Sequence, residues 1–376
     1  MKVPLTRINI DKSELGEVAR VLKSGWVTQG PETVAFEDSV ARYLGIPHAV
    51  ACSSCTTALF AMMKAAGIGP GDEVIVPSLT FIATPNSVRH TGAIPVFADV
   101  SPGTYNMDPE SVRRRIGTKT RAILVVHQIG IPADLASLAR IARAHRILLL
   151  EDAACAIGSV YRGKKIGNTG HSSAASFSFH PRKVITTGEG GMVVSRNRKF
   201  IQDVRMLISH GASVDELVKH KSKGLVDVTY PIVGYNFRLS DILSAVGVAQ
   251  MKKLDALIAK REKHVRYYKK ALAKIPGIVF PDIPRGDRWN CQSCAVRITD
   301  AFGPTRDTVL EHCLQKGIAA RGAITVCHKE QPYAKAKAFL PETGRIAREM
   351  LMLPLYPGMS VHEQDYVVSR IKECAP

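Results

Sequence analysis

Lys183 stands between two short apolar runs, residues 174–179 and 192–194, in a stretch that closes on Gly188-Glu-Gly-Gly191. Both runs read as strands, because they are rich in β-formers and bounded by Pro and Gly. Glycines at that place let the backbone take positive φ and pass close to a bulky neighbour. A lysine on a tight loop between buried strands is a candidate for Schiff-base chemistry, since desolvation or a cationic neighbour lowers its pKa. Taken alone, a loop lysine beside Arg182 reads more readily as a surface group, because lysine is so rarely buried. What overturns that reading is where the other reactive side chains fall.

After the strand-like run 49–52 comes Ser53-Ser-Cys-Thr-Thr-Ala-Leu59, opening a helix. Small hydroxyl residues there are good caps; the same geometry offers free N–H groups and a positive dipole end to a phosphate. After the run 73–77, Phe81 lies near the sheet edge, where a core phenylalanine is the default. The run 147–151 leads into Glu151-Asp152. A carboxylate ending an apolar strand is costly to bury unpaired, so Asp152 needs a positive partner or a helix N-terminus to cap. A phosphate cradle, an aromatic plate, a carboxylate and a lysine on one sheet edge together describe a pyridoxal phosphate site. There the carboxylate keeps the pyridine nitrogen protonated, so that the ring serves as an electron sink.

The elements that must position these groups alternate along the chain. Strand-like runs fall at 49–52, 73–77, 94–99, 122–127, 147–151, 174–179 and 192–195, with helical patterns at 56–66, 83–91, 109–116 and 135–144. Two amphipathic helices, 12–23 and 32–44, come first, joined by a connector in which Trp26 packs on the core or touches a ligand. Strand and helix in alternation imply an α/β fold with a mostly parallel sheet, and the continuously apolar runs at 122 and 147 are those of strands covered on both faces. In such sheets ligands bind beyond the carboxyl ends of the strands. A long helical pattern, 238–273, leads to a smaller α/β region with a run at 294–298 and helices at 305–316 and 362–373. The chain of 376 residues is therefore expected to form a large domain, 1–250, and a small one, 251–376.

Composition narrows the class. With 45% hydrophobic and 22% charged residues the chain is of ordinary globular type, with no apolar run of membrane-spanning length. The start, Met-Lys-Val-Pro-Leu-Thr-Arg, lacks a signal-peptide pattern, so a cytoplasmic location is expected. The net charge of +18 is scattered rather than gathered into a DNA-reading module, so it suits anionic small substrates and nucleic acid is not expected as a partner. Two C-x-x-C pairs, Cys52/Cys55 and Cys291/Cys294, lie more than two hundred residues apart with no histidine at finger-like spacing, and no metal is expected.

Seven segments carry a resemblance to a known family: Gly25…Gly30-Pro31, Gly67-Ile-Gly-Pro-Gly-Asp-Glu-Val-Ile-Val-Pro77, Phe97-Ala-Asp-Val100, Glu151-Asp-Ala-Ala154, Phe177-Ser-Phe-His-Pro-Arg-Lys183 with the following glycines, Gly234-Tyr-Asn-Phe-Arg-Leu-Ser-Asp241, and Leu353-Pro-Leu-Tyr-Pro-Gly358. Over nearly its whole length the chain resembles the DegT/DnrJ/StrS family of pyridoxal-phosphate sugar aminotransferases. The resemblance implies a fold-type I transferase in which Lys183 forms the internal aldimine, Asp152 partners the pyridinium and Phe81 stacks on the ring. It places Ser54, Cys55, Thr56 and Ser178 around the phosphate, with Asn236 reaching the phosphate of the neighbouring subunit in a homodimer. Two positions depart from the family: Cys55 stands where glycine is usual, and Cys155 where glutamine usually contacts the cofactor's phenolic oxygen. A thiol is a weak hydrogen-bonding group. The segment Thr325–Tyr333 resembles a loop near the substrate, where His328 either touches sugar or nucleotide or is a surface residue. The activity implied is transfer of an amino group, from L-glutamate, to a keto group of a nucleotide-linked deoxysugar. The family's dehydratase branch carries histidine in place of the lysine, and a non-catalytic regulator is the remaining alternative.

Overall fold

The computed structural model describes residues 1–214, 227–336 and 338–375. The Lys- and Gly-rich stretch 219–224 lies outside them. Helices α1 (Lys12–Ser24) and α2 (Pro31–Leu44) precede strand β1 (His48–Cys52), after which α3 (Cys55–Ala65), β2 (Glu73–Pro77), α4 (Ala83–His90), β3 (Ile94–Ala98), α5 (Pro109–Arg113), β4 (Thr120–Val126), α6 (Leu135–Ala144) and β5 (Leu148–Asp152) alternate. A two-stranded hairpin, β6 (Val160–Tyr161) and β7 (Lys164–Lys165), leads to β8 (Ala174–Ser178), β9 (Gly191–Ser195) and α7 (Arg198–Ile208). Then come the long helix α8 (Asp241–Leu272), β10 (Ile278–Val279), β11 (Cys294–Ile298), α9 (Arg306–Gln315), α10 (Pro341–Glu349), β12 (Met350–Leu353) and α11 (Val361–Lys372).

The main sheet has seven strands in the order β1-β9-β8-β5-β4-β2-β3. The pairs β2/β3, β2/β4, β4/β5 and β5/β8 are parallel, and only β9 runs against its neighbours. Cys52, Pro77, Val126, Asp152 and Ser178 therefore end their strands at one edge, and β9 begins there with Gly191. Both faces of the sheet are covered, which is why β4 is a nearly continuous apolar run and every residue of β8 is buried.

The second sheet, β10-β11-β12, is antiparallel, and its apolar core also takes in Val3, Val100, Tyr105, Ile129 and Ile131 from early in the chain. Helix α8 spans 32 residues, about 48 Å at 1.5 Å per residue, and passes position 250 without a break. Its first residue, Asp241, is buried and caps another helix: the carboxylate accepts from Gly30 N at 2.7 Å, Thr33 N at 3.0 Å and Glu32 N at 3.1 Å. α2 begins at a glycine with no side chain of its own to cap it, and Asp241 supplies the missing acceptor. Asp99, just after β3, does the same for α10, accepting from Thr343 N at 2.7 Å and Glu342 N at 3.1 Å. Among the described residues no helix is long and apolar enough to cross a membrane.

Candidate active site

The phosphate end of the site is built where β1 gives way to α3. Ser54 caps the helix: its Oγ accepts from Thr57 N at 3.2 Å, and Thr57 Oγ1 accepts from Ser54 N at 3.1 Å. The first-turn N–H groups of Cys55 and Thr56 have no acceptor within the helix, and the dipole adds positive potential there. Gly191 pairs with Cys52 on one side and with Ser178 on the other. A Cβ on Gly191 would stand 2.6 Å from Cys55 N and closer still to the Ser54 carbonyl. Only glycine lets β9 pass so close, and this brings Ser178 to within one strand of the α3 N-terminus. Ser54, Cys55, Thr56 and Ser178 thus share one corner.

Cys55 fits without glycine's freedom because its side chain turns toward the sheet. Its Sγ lies 3.4 Å from Ser176 Oγ, and burial pushes the thiol well above the usual cysteine range. Only its backbone N–H is left to meet a phosphate. Ser176 pairs in register with Asp152, which links this corner to the next.

Glu151 and Asp152 end β5 on opposite faces, as successive strand residues must. Glu151 is fully buried and committed: its Oε2 lies 2.8 Å from His127 Nε2, and Ser172 Oγ donates to its other oxygen. His127 Nδ1 accepts from Ala133 N at 3.0 Å, so Nε2 carries the hydrogen given to Glu151. Asp152 has only neutral donors, Thr84 Oγ1 at 2.8 Å and Ala154 N at 3.2 Å, although it is 4% exposed. Burial raises its pKa, against those two hydrogen bonds and the more distant charge of Lys183. No cation reaches its oxygens among the described residues. A buried carboxylate of this kind is matched by a protonated ring nitrogen.

Lys183 lies in the β8–β9 connection, whose shape is held from within. Lys183 N donates to His180 O at 2.8 Å, Thr187 N to Phe179 O at 3.0 Å, and Phe179 N to Gly190 O at 2.9 Å. Gly188 takes φ 90°, the left-handed turn a side chain resists. Lys183 Nζ donates to Cys155 Sγ at 3.2 Å, three residues beyond Asp152. Burial works against the Lys183 ammonium, but the Cys155 sulfur it bonds and the Asp152 carboxylate outweigh it, leaving the pKa above the ordinary lysine value rather than below it. The Cys155 carbonyl accepts from Asn290 Nδ2 at 2.8 Å, and the same amide nitrogen donates to Ile157 O at 2.8 Å. Asn290, fully buried, thereby clamps the turn carrying Asp152 and Cys155 from the far side of the chain.

Phe81 is not the core residue expected from its position. It is 64% exposed, because the chain leaves β2 and turns into α4 with Thr84, not Phe81, directed to Asp152. An exposed aromatic three residues before the Asp152 partner Thr84 is free to stack on a flat ring. Trp26 is half-buried and donates through Nε1 to Gln29 O at 3.2 Å, closing its own loop. The segment 325–328 lies over the end of β2: Thr80 N donates to Thr325 O at 3.1 Å and Cys327 N to Ser78 O at 2.8 Å. His328, half-buried, puts Nδ1 2.6 Å from Ser78 Oγ. Asn236 is exposed, but its neighbour Phe237 accepts from Ser53 N at 2.7 Å, so the 235–237 strip runs beside the phosphate corner of its own chain.

Thr84, Asn290 and Ser176 escaped the sequence reading. Each acts on a partner 68, 135 or 121 positions away, and a lone Thr, Asn or Ser carries no local pattern that reports such a contact.

A mostly parallel α/β sheet that presents an anion-binding helix start, an uncompensated carboxylate and a loop lysine along one edge defines an enzyme built to hold an anionic, basic-nitrogen aldehyde. The residues fit pyridoxal phosphate: the α3 N-terminus and Ser178 match its phosphate, Asp152 its ring nitrogen and Lys183 its aldehyde carbon. The chain belongs to the DegT/DnrJ/EryC1/StrS aminotransferase family, whose model matches residues 8–372. It is a pyridoxal-phosphate-dependent aminotransferase of fold-type I. The chain is 35% identical to the spore coat polysaccharide biosynthesis protein SpsC of Bacillus subtilis (strain 168), over 97% of this chain and 95% of that one. It is likewise 35% identical to the GDP-perosamine synthase of Caulobacter vibrioides, over 99% and 98%. Among solved structures, DesI in the presence of its TDP-sugar product superposes with a TM-score of 0.89 at 31% identity, covering all of this chain and 93% of that one.

Proposed function

We propose that the protein moves an amino group from L-glutamate to the keto carbon of a nucleotide-linked deoxysugar, in a route to a surface polysaccharide or an amino sugar. The observation that carries this reading is Lys183, loop-held and bonded to Cys155 three residues past Asp152. It is supported by the relatives named for GDP-perosamine and a TDP-sugar product. The net charge of +18 suits a substrate that carries a diphosphate.

The cofactor, when bound, supplies the electron sink that labilises a Cα proton. The chain's own groups do the rest. Asp152 would hold a proton on the ring nitrogen, Phe81 would cover the ring, and the α3 N-terminus with Ser178 would fix the phosphate. Lys183 Nζ would hold the aldehyde carbon and, when free, would take up and return the proton at the substrate's carbon. The lysine argues against dehydration, since the eliminating branch carries histidine there.

Incubating the holoenzyme with L-glutamate and a panel of keto-sugar nucleotides, and following 2-oxoglutarate, tests the reading. Turnover is expected with a nucleotide-linked keto-sugar and not with the free sugar. Equal rates with both, or no aminated sugar from any of them, would overturn it.

The active unit in this reading is a homodimer with shared sites, in which Asn236 serves the partner's phosphate. Its exposed side chain suits that role, while the bond from Ser53 N to Phe237 O keeps a same-subunit role open to test. Lys183→Ala and Asn236→Asp subunits, each close to inactive, are expected to recover roughly a quarter of wild-type activity when mixed equally. Random exchange makes half the dimers mixed, and each mixed dimer has one intact site of two. No recovery despite proven exchange would put both residues in one subunit's site.

A further inference from the structure

Residues 289–292, Trp-Asn-Cys-Gln, are buried and lead into β11 at Cys294. Three of their side chains donate to three different loops of the main sheet. Trp289 Nε1 donates to Ile129 O, beyond β4, at 2.7 Å, and Asn290 Nδ2 to Cys155 O and Ile157 O, beyond β5. Gln292 Nε2 donates to Arg182 O, beyond β8, at 2.9 Å. Strands β4, β5 and β8 are neighbours in the sheet in that order. The segment therefore crosses the edge that bears the site and takes one loop after another, in step with the strands. Loop carbonyls have no ladder partner, so side-chain donors are what can fix them.

The segment is itself held. Asn290 Oδ1 accepts from Gln292 N at 3.0 Å, which closes a turn around Cys291, whose φ of 54° is left-handed. Arg288, just before it, exchanges two backbone bonds with Val160 of β6, and Arg261 of α8 donates to Gln292 O at 3.0 Å. Ser293 Oγ donates to Gln292 Oε1 at 3.0 Å, which leaves the amide nitrogen turned to Arg182. The Arg182 carbonyl belongs to the same planar peptide unit as Lys183 N. That unit is gripped at both ends, its oxygen by Gln292 and its nitrogen by His180 O at 2.8 Å.

We propose that Gln292 is a positioning residue for Lys183, and that residues 290–292 set the spacing between the loops that carry Asp152 and Lys183. Those two residues stand on different loops, and Asn290 and Gln292 tie the loops to one turn. The inference deepens the proposed function and rests on Lys183 being the lysine that holds the aldehyde.

Gln292→Met keeps the length of the side chain and removes the donor. In the cofactor-free protein, hydrogen exchange at the Lys183 and Thr187 amides is expected to quicken roughly fivefold, the weight of one hydrogen bond, while Ala153 and Ala156 beyond β5 keep wild-type rates. In the holoenzyme kcat is expected to fall about tenfold or more with KM little changed, because a misplaced reacting group loses rate and not substrate contacts. Gln292→Glu probes the same bond through pH. Its ionised carboxylate has no hydrogen for the Arg182 oxygen, whereas its protonated form donates again. The ratio of its turnover to that of wild type should climb as pH falls, and the ratio for Gln292→Met should stay flat. Should Gln292→Met fail to fold, the pH dependence of Gln292→Glu decides alone. Exchange quickened everywhere alike with a lowered Tm would make Gln292 merely structural and overturn the proposal, as would wild-type exchange at Lys183 with wild-type kcat. If Lys183→Ala keeps its visible band, the assignment of Lys183 fails and this inference with it. Loss of that band beside an unaltered Gln292→Met fails this inference alone.

Discussion

Lys183→Ala is expected to lose the visible absorption band of the lysine-bound cofactor and to lower turnover by at least about 10⁴-fold, the upper range of a general acid–base contribution. Two functions vanish with one side chain: the amine that binds the aldehyde and the group that moves the proton. Folding should survive. The loop around Lys183 is fixed by its backbone, through the bonds of Lys183 N, Thr187 N and Phe179 N, none of which uses the side chain. Among the described residues the ammonium makes one bond, to Cys155 Sγ, and a thiol is a weak acceptor whose loss costs little. Cofactor should still bind through its phosphate, because the α3 N-terminus and Ser178 are untouched. The check is absorption and turnover on the same preparation, with Tm to confirm the fold. A variant that kept both the band and turnover would show that another amine does this work.

The residues legible in the sequence share a property: their role follows from their place on one element. Asp152 announced itself as a carboxylate at the end of an apolar strand, Ser54 as a hydroxyl at a helix start, and Lys183 as a loop lysine framed by glycines. The residues that hold them were not legible. Thr84 orients Asp152 from 68 positions away and Asn290 clamps Cys155 from 135 away, and only the folded chain joins such pairs. Asp99 and Asp241 lie within segments that carried the family resemblance, yet both turn out to cap distant helices. Recurrence within a motif thus marked a structural need there, not chemistry. Strand β12, Met-Leu-Met-Leu, escaped because four apolar residues fit a buried strand and a buried helix turn equally. Helix α7 was legible and overlooked: Asn197 caps it, and Ile201, Val204, Leu207 and Ile208 mark its buried face. For Phe81 a core place was only the default, because position near a strand end does not say which way a ring turns; in the fold it is exposed.

Asp152→Asn should separate function from stability in a way few substitutions can. Burial raises the Asp152 pKa in the folded chain above its unfolded value. A group shifted in that direction favours folding when protonated, and that contribution is lost as pH rises through the folded pKa. In the cofactor-free protein at neutral pH, the native state therefore carries the cost of a buried carboxylate with only Thr84 and Ala154 to answer it. Asparagine keeps an acceptor for Ala154 N, turns its NH2 toward Thr84 Oγ1, which can accept, and drops the charge, so the cofactor-free variant should be at least as stable as wild type near pH 7. Its advantage should shrink as pH falls and the wild-type carboxyl takes up its proton. Turnover should move the other way. Without the negative charge the ring nitrogen is no longer held protonated, and a loss of about 10²–10³-fold is expected, the range for one preorganised electrostatic contact. Cofactor affinity should change by less than about tenfold, since the phosphate corner is intact and one hydrogen bond is at stake. The measurements are thermal unfolding of the cofactor-free protein across pH, cofactor titration and steady-state turnover. A destabilised variant whose cofactor binding falls as far as its turnover would make Asp152 a structural residue and leave the ring nitrogen without its partner.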